Sequence, residues 1–507
     1  MSDGSEDWHY DLNGDGRPDY CERRSAAGRV ILLRFDPNAD GNYAEQVDRL
    51  LSKDEVADRR DRHLVVMLDS IPHHMVQELW HQGRFRYFPP PSALISPFPV
   101  MTDLSFAEFF GISPSPGVES EYYDGTTLTD GYATYAREGN APWIMHVDYY
   151  LQFLAHSVAY LNPHRWYEHE LGKIQRHFYR SGKDYFIGYV VTTSGLGAWE
   201  GRNGHQSALV RLDRFCQHVM HRLRGRVQIT LLSDHGHNLV NSRRIPLSKM
   251  LARFGYRVTS RISGPMDVVV PEFGVVTCAA IYTQRAADVA RDVIGIDGIE
   301  QTLYVDSSGD VVVQDLEGVA RIRAIVESAA ESETTPSERP IATRLRYQCE
   351  RGDPFKLLPV IDELRRSGQV DADGFIDDRA LFEATRKHIY PDAIYRSWRA
   401  FHGLMVHTPD VLVSVKDGWH CGSALMSWIC DLQAAHGNLG RLSSYGFVMT
   451  TMGELPDIVR MEDLRQELMQ LGVPLSTAST KESSVVSGMS AIGPLAPTLA
   501  DSVVEEQ

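Results

Sequence analysis

The sequence predicts an α/β protein with a doubly wound, mostly parallel central sheet, helices on both faces and a small inserted or edge β region. Three observations predict it. Apolar runs without polar alternation recur at 29–35 (RVILLRF), 63–68 (HLVVML), 185–191 (YFIGYVV), 227–232 (VQITLL), 275–281 (VVTCAAI) and 410–415 (DVLVSV), as strands buried on both faces require. Stretches with helical patterning separate them at 44–57, 146–160, 164–180, 205–223, 284–294, 317–327 and 356–367, and strand–helix alternation implies parallel strands. The residues with chemical potential fall just beyond these runs, where ligands collect in such sheets.

The remaining segments set the boundaries. Residues 1–27 are polar and read as an N-terminal extension, 28–475 as the α/β domain, and 476–507, rich in Ser, Thr, Ala and Pro, as a disordered tail. Within the domain, about 260–345 reads as an inserted part with short β-like pieces, and 328–340 (SAAESETTPSERP) as an exposed linker.

Composition narrows the function. With 507 residues, 43% of them hydrophobic and 23% charged, the chain can bury a large core. A net charge of −16 argues against nucleic acid or an anionic membrane as the main partner. The six cysteines are dispersed, with no C-x-x-C pair, and read as buried apolar residues in a reducing compartment. No signal peptide and no apolar run near the ~20 residues of a membrane helix is seen, so the expected location is cytoplasmic. The oligomeric state is not legible.

Three pieces carry chemistry. Asp69 ends the apolar run VVML, a position suited to holding a metal, although strand-end aspartates also serve as caps and turn formers. Thr102 follows the proline-punctuated ISPFPVM and opens an apparent helix, 104–110. There its hydroxyl meets the positive end of a helix dipole, which favours phosphate; the simpler alternative is that Thr102 or Asp103 is an N-cap. Asp234-His235-Gly236-His237 follows VQITLLS, and an adjacent carboxylate and imidazole at a strand end can ligate one divalent cation.

In order and context these pieces resemble the alkaline phosphatase superfamily, in particular its type I phosphodiesterase/nucleotide pyrophosphatase branch. The resemblance covers roughly 28–240 and 400–455. It implies that Asp69, Thr102, Asp234 and His235 hold one metal, with Thr102 the nucleophile. It also implies a further metal-binding histidine near the C-terminus: His436 in AAHGNLG, with His420 in KDGWHCGS as the alternative. The family carries a D-x-x-x-H motif for a second metal, and here those positions hold Ser194 and Ala198. Neither hydroxyl nor methyl replaces a carboxylate or imidazole. His205, seven residues on, is the substitute if the loop folds back. No C-x-P-x-R or S-x-P-x-R sulfatase signature surrounds Thr102.

A separate signal is DLNGDGRPDYCE, in which Asp11, Asn13, Asp15, Asp19 and Glu22 fall at ligand positions 1, 3, 5, 9 and 12 of a calcium loop. A partial copy at Asp36–Gly41 has Val47 at position 12 and reads as a loop. The sequence thus predicts a divalent-metal-dependent phosphoesterase. Its cofactor is zinc, with manganese or magnesium as alternatives and calcium at the N-terminal loop, and its partner is a phosphorylated small molecule. The competing expectation is a catalytically silent relative that binds a metal, ligand or protein partner.

Overall fold

The strand Arg62–Leu68 has an apolar residue at every position from Leu64 onward, and Leu64 to Leu68 are all fully buried. That pattern demands cover on both faces. Strands of the central sheet are numbered in chain order: β1 (Arg62–Leu68), β2 (Ser92–Ile95), β3 (Tyr185–Val190), β4 (Val227–Ser233), β5 (Tyr445–Thr450) and β6 (Ile458–Arg460). Their order across the sheet is β6-β2-β5-β4-β1-β3. Only β5 runs against the others, so the central sheet is mostly parallel as the sequence predicts. The computed structural model describes residues 4–11, 16–36, 43, 45–48, 61–136, 141–152, 155, 162–327 and 340–475. Among them no helix is long and apolar enough to cross a membrane.

Cover on one face comes from the helices His73–His81, Pro163–Ser181 and α2 (Thr192–Arg222), whose apolar sides share a core with Leu64, Val66 and Leu68. On the other lies α1 (Thr102–Phe110), with Phe106 edge-on to Tyr189 of β3 at 5.6 Å between ring centroids. Two further apolar runs leave this sheet. Cys278–Thr283 and Val411–Val415 pair antiparallel inside a separate nine-stranded sheet. Alternate residues there point into two different cores, Cys278, Ala280 and Leu412 into one and Ala279, Ile281, Val411 and Val413 into the other. An antiparallel strand covered on both faces is as apolar as a parallel one, so the runs misled. The β region is consequently much larger than an edge piece.

Other expectations also need correction. Residues 317–327 are not a helix but the strand Val319–Glu327, where Ala320 and Ile322 are buried while Arg321 and Arg323 pair with acids outside: a period of two, not 3.6. Within 44–57, Glu45–Asp48 is a strand, and within 146–160, residues 147–152 are not helical. The run at 29–35 gives Val30–Phe35, which belongs not to the central sheet but to a four-stranded sheet with Glu6–Tyr10, Tyr20–Arg24 and Glu45–Asp48. A boundary at residue 27 would cut that sheet, and contacts group 1–474 as one unit. The linker at 328–339 and the tail from 476 lie outside the described residues.

The edge of the sheet that carries β2 is fastened by buried charge. Arg460, at the end of β6, donates to Asp392 (2.6 and 2.9 Å) and Asp378 (2.5 and 2.8 Å). Beside it, Arg396 donates to the carbonyls of Pro391, Leu439 and Pro97, the last within the loop that delivers Thr102. Removing one member strands a carboxylate away from water. Arg460→Met is expected to lower unfolding free energy by about 3–5 kcal/mol, measured by urea denaturation.

Candidate active site

Strand register begins the assembly. Leu68 pairs with Val190 on one side and Ser233 on the other, so Asp69, Val191 and Asp234 leave the sheet at one level. Ser70 then turns in the left-handed region (φ 63°), a conformation costing a non-glycine residue roughly 1 kcal/mol or more. The turn aims its N–H at Asp234 Oδ1 (2.9 Å) and its hydroxyl at Asp69 Oδ1 (2.5 Å). The hydroxyl of Tyr189 donates to Asp69 Oδ2 at 2.7 Å. Gly236 is required by close approach: a Cβ there would stand 2.5 Å from the Leu442 carbonyl oxygen and 2.6 Å from that of Tyr445.

The donor atoms of Asp69, Asp234 and His235 lie within 4.8 Å of one another, and all three residues are buried. Thr102 is the first residue of α1, after an extended Met101 that makes no side-chain cap. Neither alternative cap applies, because Asp103 instead accepts from the Trp143 indole at 2.8 Å. The Thr102 hydroxyl oxygen lies 3.5 Å from His235 Nε2, beside the first-turn N–H groups that have no intrahelical acceptor. Thus Asp69, Thr102, Asp234 and His235 are brought together.

Hydrogen positions test whether a cation fits. His235 Nδ1 donates to the Gly236 carbonyl at 3.1 Å, which leaves a lone pair on Nε2, approached by the Thr102 hydroxyl at 3.5 Å. That nitrogen faces Asp234 Oδ2 at 3.3 Å, a buried oxygen for which, among the described residues, the Thr102 hydroxyl is the nearby donor. Two lone-pair atoms so placed are bridged either by a proton or by a cation, and an imidazole oriented by a backbone carbonyl is the usual form of a metal ligand. Burial and the facing carboxylate raise Asp69 to about 7. Burial, opposed by the donors around it, raises Asp234 to about 7. Both His235 and His436 are held below the usual imidazole range by burial, so both are neutral at neutral pH.

The other expected residues divide. His436 donates from Nδ1 to the Val100 carbonyl (2.8 Å) and stacks on His235 with centroids 4.0 Å apart, so its Nε2 is available. His420 is spent: Ser242 and Ser427 occupy its two nitrogens at 3.0 and 2.8 Å. Ser194 and Ala198 line the same pocket as Asp69, Thr102 and His436. His205 is buried and lies against His237, its Nε2 3.0 Å from His237 Nδ1, rather than among the ligands. Ser70, Tyr189 and His237 carry no signal of their own in the sequence beyond His237's place in D-H-G-H.

Of the calcium-loop candidates, the described ones are Asp11, Asp19 and Glu22. Glu22 is fully buried, held by Arg86 and Arg24 and by the hydroxyls of Tyr20 and Tyr87, so its carboxylate is committed elsewhere. Asp11 accepts from the Gly16 amide (2.7 Å); Asp19 precedes Tyr20–Arg24, and Asn13 and Asp15 lie outside the described residues. A second grouping, Asp7, His9 and Cys21, already has its charge met by Arg23 and Arg34 on Asp7.

Beside the cluster opens a cavity of about 470 Å³. Tyr122, Tyr132, Tyr135, Trp143, Tyr150 and Phe273 supply aromatic walls, drawn partly from the segments 121–127 and 140–150. Among the described lining residues Asp69, Asp103 and Glu119 are acidic and none is Lys or Arg. His73 and His74 line a different groove.

No family model and no curated protein sequence matches the chain. Solved structures do. They include murine ectonucleotide pyrophosphatase/phosphodiesterase 5 (13% identity, 82% of this chain and 96% of that one, TM-score 0.40). The human form follows (10%, 81% and 95%, 0.41), with phosphonoacetate hydrolase from Sinorhizobium meliloti 1021 bound to phosphonoformate (11%, 82% and 96%, 0.43). Superposition that loose carries no argument about chemistry, which rests on the side chains above.

Sign and pH follow from the carboxylates. Their folded values, about 7, lie above the ordinary 3.8, so the cation-free protein gains stability from this pair at low pH and loses it as pH rises through 7. A bound cation reverses that by favouring both ionised forms. The rise in Tm on replacing EDTA by zinc or manganese is expected to be larger at pH about 8 than at pH about 5, and to vanish in Asp234→Asn.

Proposed function

We propose that the chain is a divalent-metal-dependent phosphoesterase of alkaline phosphatase type, with Thr102 as nucleophile and one resident cation held by Asp69, Thr102, Asp234 and His235, with His436 at its edge. The observation that carries this reading is the convergence of the Thr102 hydroxyl, Asp234 Oδ2 and the lone pair of His235 Nε2 on one point. Two carboxylates, a hydroxyl and an imidazole suit zinc first, then manganese or magnesium. Bound there, the cation would lower the pKa of the hydroxyl and offset charge on phosphorus.

The chain's own groups do the rest. Thr102 Oγ1 forms a bond to phosphorus as the ester P–O bond breaks; the hydroxyl proton passes to solvent and the leaving oxygen takes a proton from water. Water then attacks the phosphothreonine, restoring the hydroxyl and releasing phosphate or its monoester. Ser70 and Tyr189 hold Asp69 in place, and the N-terminus of α1 faces the phosphoryl oxygens. A pocket with acidic and aromatic walls, and no described Lys or Arg, favours a singly charged diester with an uncharged organic group over a dianionic monoester. The six cysteines are free, which supports a reducing, cytoplasmic setting.

Ser194 and Ala198 favour a second reading, a silent protein that binds a phosphorylated ligand through the same groups. Hydrolysis of an aryl phosphodiester separates the two. Thr102→Ala is expected to lower kcat by roughly 10³-fold or more with one cation still bound per chain, and Thr102→Ser to retain part of the rate. Wild-type protein that binds metal and turns over neither mono- nor diester establishes the silent form.

A further inference from the structure

His205 and His237 form a buried pair beside the ligand cluster without belonging to it. α2 starts with Ser194 and Ala198 on the pocket wall, kinks at Gly201 (φ 55°, ψ −129°) and returns to bring His205 against His237. Gly197 makes the fit possible: a Cβ there would stand 2.2 Å from His205 Nε2 and 2.5 Å from His237 Nδ1, so any side chain at 197 would part the rings.

One hydrogen sits in the 3.0 Å contact between His205 Nε2 and His237 Nδ1, and the surroundings decide which ring owns it. His205 Nδ1 is buried and, among the described residues, has no hydrogen-bond partner. Were His237 the donor, neutral His205 would carry its own proton on Nδ1, an orphaned N–H inside the protein. With His205 as donor, the leftover atom is a bare lone pair, and buried orphan donors are the rarer of the two. His205 therefore donates, and His237 bears its hydrogen on Nε2. His237 is part of the pocket wall with Thr102, Ser194 and Ala198, its ring centroid 6.5 Å from that of His235 and 5.5 Å from that of His436.

We propose that the His237 Nε2–H is a fixed hydrogen-bond donor to the phosphoryl group seated on Thr102, in the position left by the second cation that Ser194 and Ala198 cannot hold, and that His205 is the positioning residue that fixes its tautomer. The proposal rests on the phosphoesterase reading and adds a catalytic group to it. A neutral N–H aimed at a developing charge in a water-poor site is the same device as an oxyanion-hole donor. It also suits a singly charged diester, which needs less positive charge than a dianion.

The test uses the full chain with zinc or manganese and bis(p-nitrophenyl) phosphate. His237→Ala is expected to lower kcat roughly 10²–10³-fold, with KM and a content of one cation per chain unchanged. His205→Ala is expected to lower kcat about tenfold, the worth of one hydrogen bond in the transition state. His205→Gln, whose amide can donate from the same place, is expected to restore most of it. In ring-¹⁵N-histidine-labelled protein, the resonance lost in His237→Ala should show a protonated Nε2 and an unprotonated Nδ1. A protonated Nδ1, an unaltered kcat in His237→Ala, or a second bound cation lost with His237 would each overturn the role of His237 alone. A wild-type chain without turnover overturns the phosphoesterase reading together with it.

Discussion

Everything at this site depends on holding two carboxylates, Asp69 and Asp234, side by side away from water. Left alone they repel, and burial penalises each charge; both are driven to about 7 as a result. The fold spends several groups to keep them there. Backbone and hydroxyl of Ser70 reach one carboxylate each, at the cost of a left-handed turn, while Tyr189 takes the far oxygen of Asp69. The remaining oxygen, Asp234 Oδ2, faces His235 Nε2 at 3.3 Å with the Thr102 hydroxyl beside them. On the proposed reading, that gap between two lone pairs is where a cation would be held.

The central sheet explains why those two residues meet. β1 lies between β3 and β4 in matched register, so consecutive strand ends present their next residues at one height. Thr102 arrives from a different direction, on the loop after β2, and that loop is fastened by Arg396 on the Pro97 carbonyl and by the Arg460 network under the outer strands. One half of the site is thus sheet, and the half that carries Thr102 is a loop tied down by buried charge. For the proposed role of Thr102 that division matters, because a shift of about 1 Å at a nucleophile is enough to cost two orders of magnitude in rate.

How much of this was legible varies with the range of the interaction. Asp69 and the Asp234-His235 pair could be found because strand ends are local features, an apolar run followed by a carboxylate. The order of the motifs located Thr102 as well. What escaped was set by partners distant in sequence. Tyr189 is one aromatic among many until β3 is laid beside β1, and Ser70 looks like any residue after a strand. Glu22 matched position 12 of a calcium loop letter for letter, yet Arg86, more than sixty positions away, claims it. The runs at 275–281 and 410–415 were read as parallel strands because apolar sequence reports burial on both faces and says nothing of strand direction.

The departure at Ser194 and Ala198 then takes on a different meaning. In the sequence it is a loss, two ligands gone from a second cation site. In the structure the same helix bends at Gly201, three residues after Ala198, and brings in a histidine four residues further on, and glycine at 197 keeps the space between that histidine and His237 clear. On the proposed reading the two observations belong to one arrangement: the glycine clears the space in which His205 meets His237, and the His237 donor stands where a second cation would have been, beside the single cation serving Thr102.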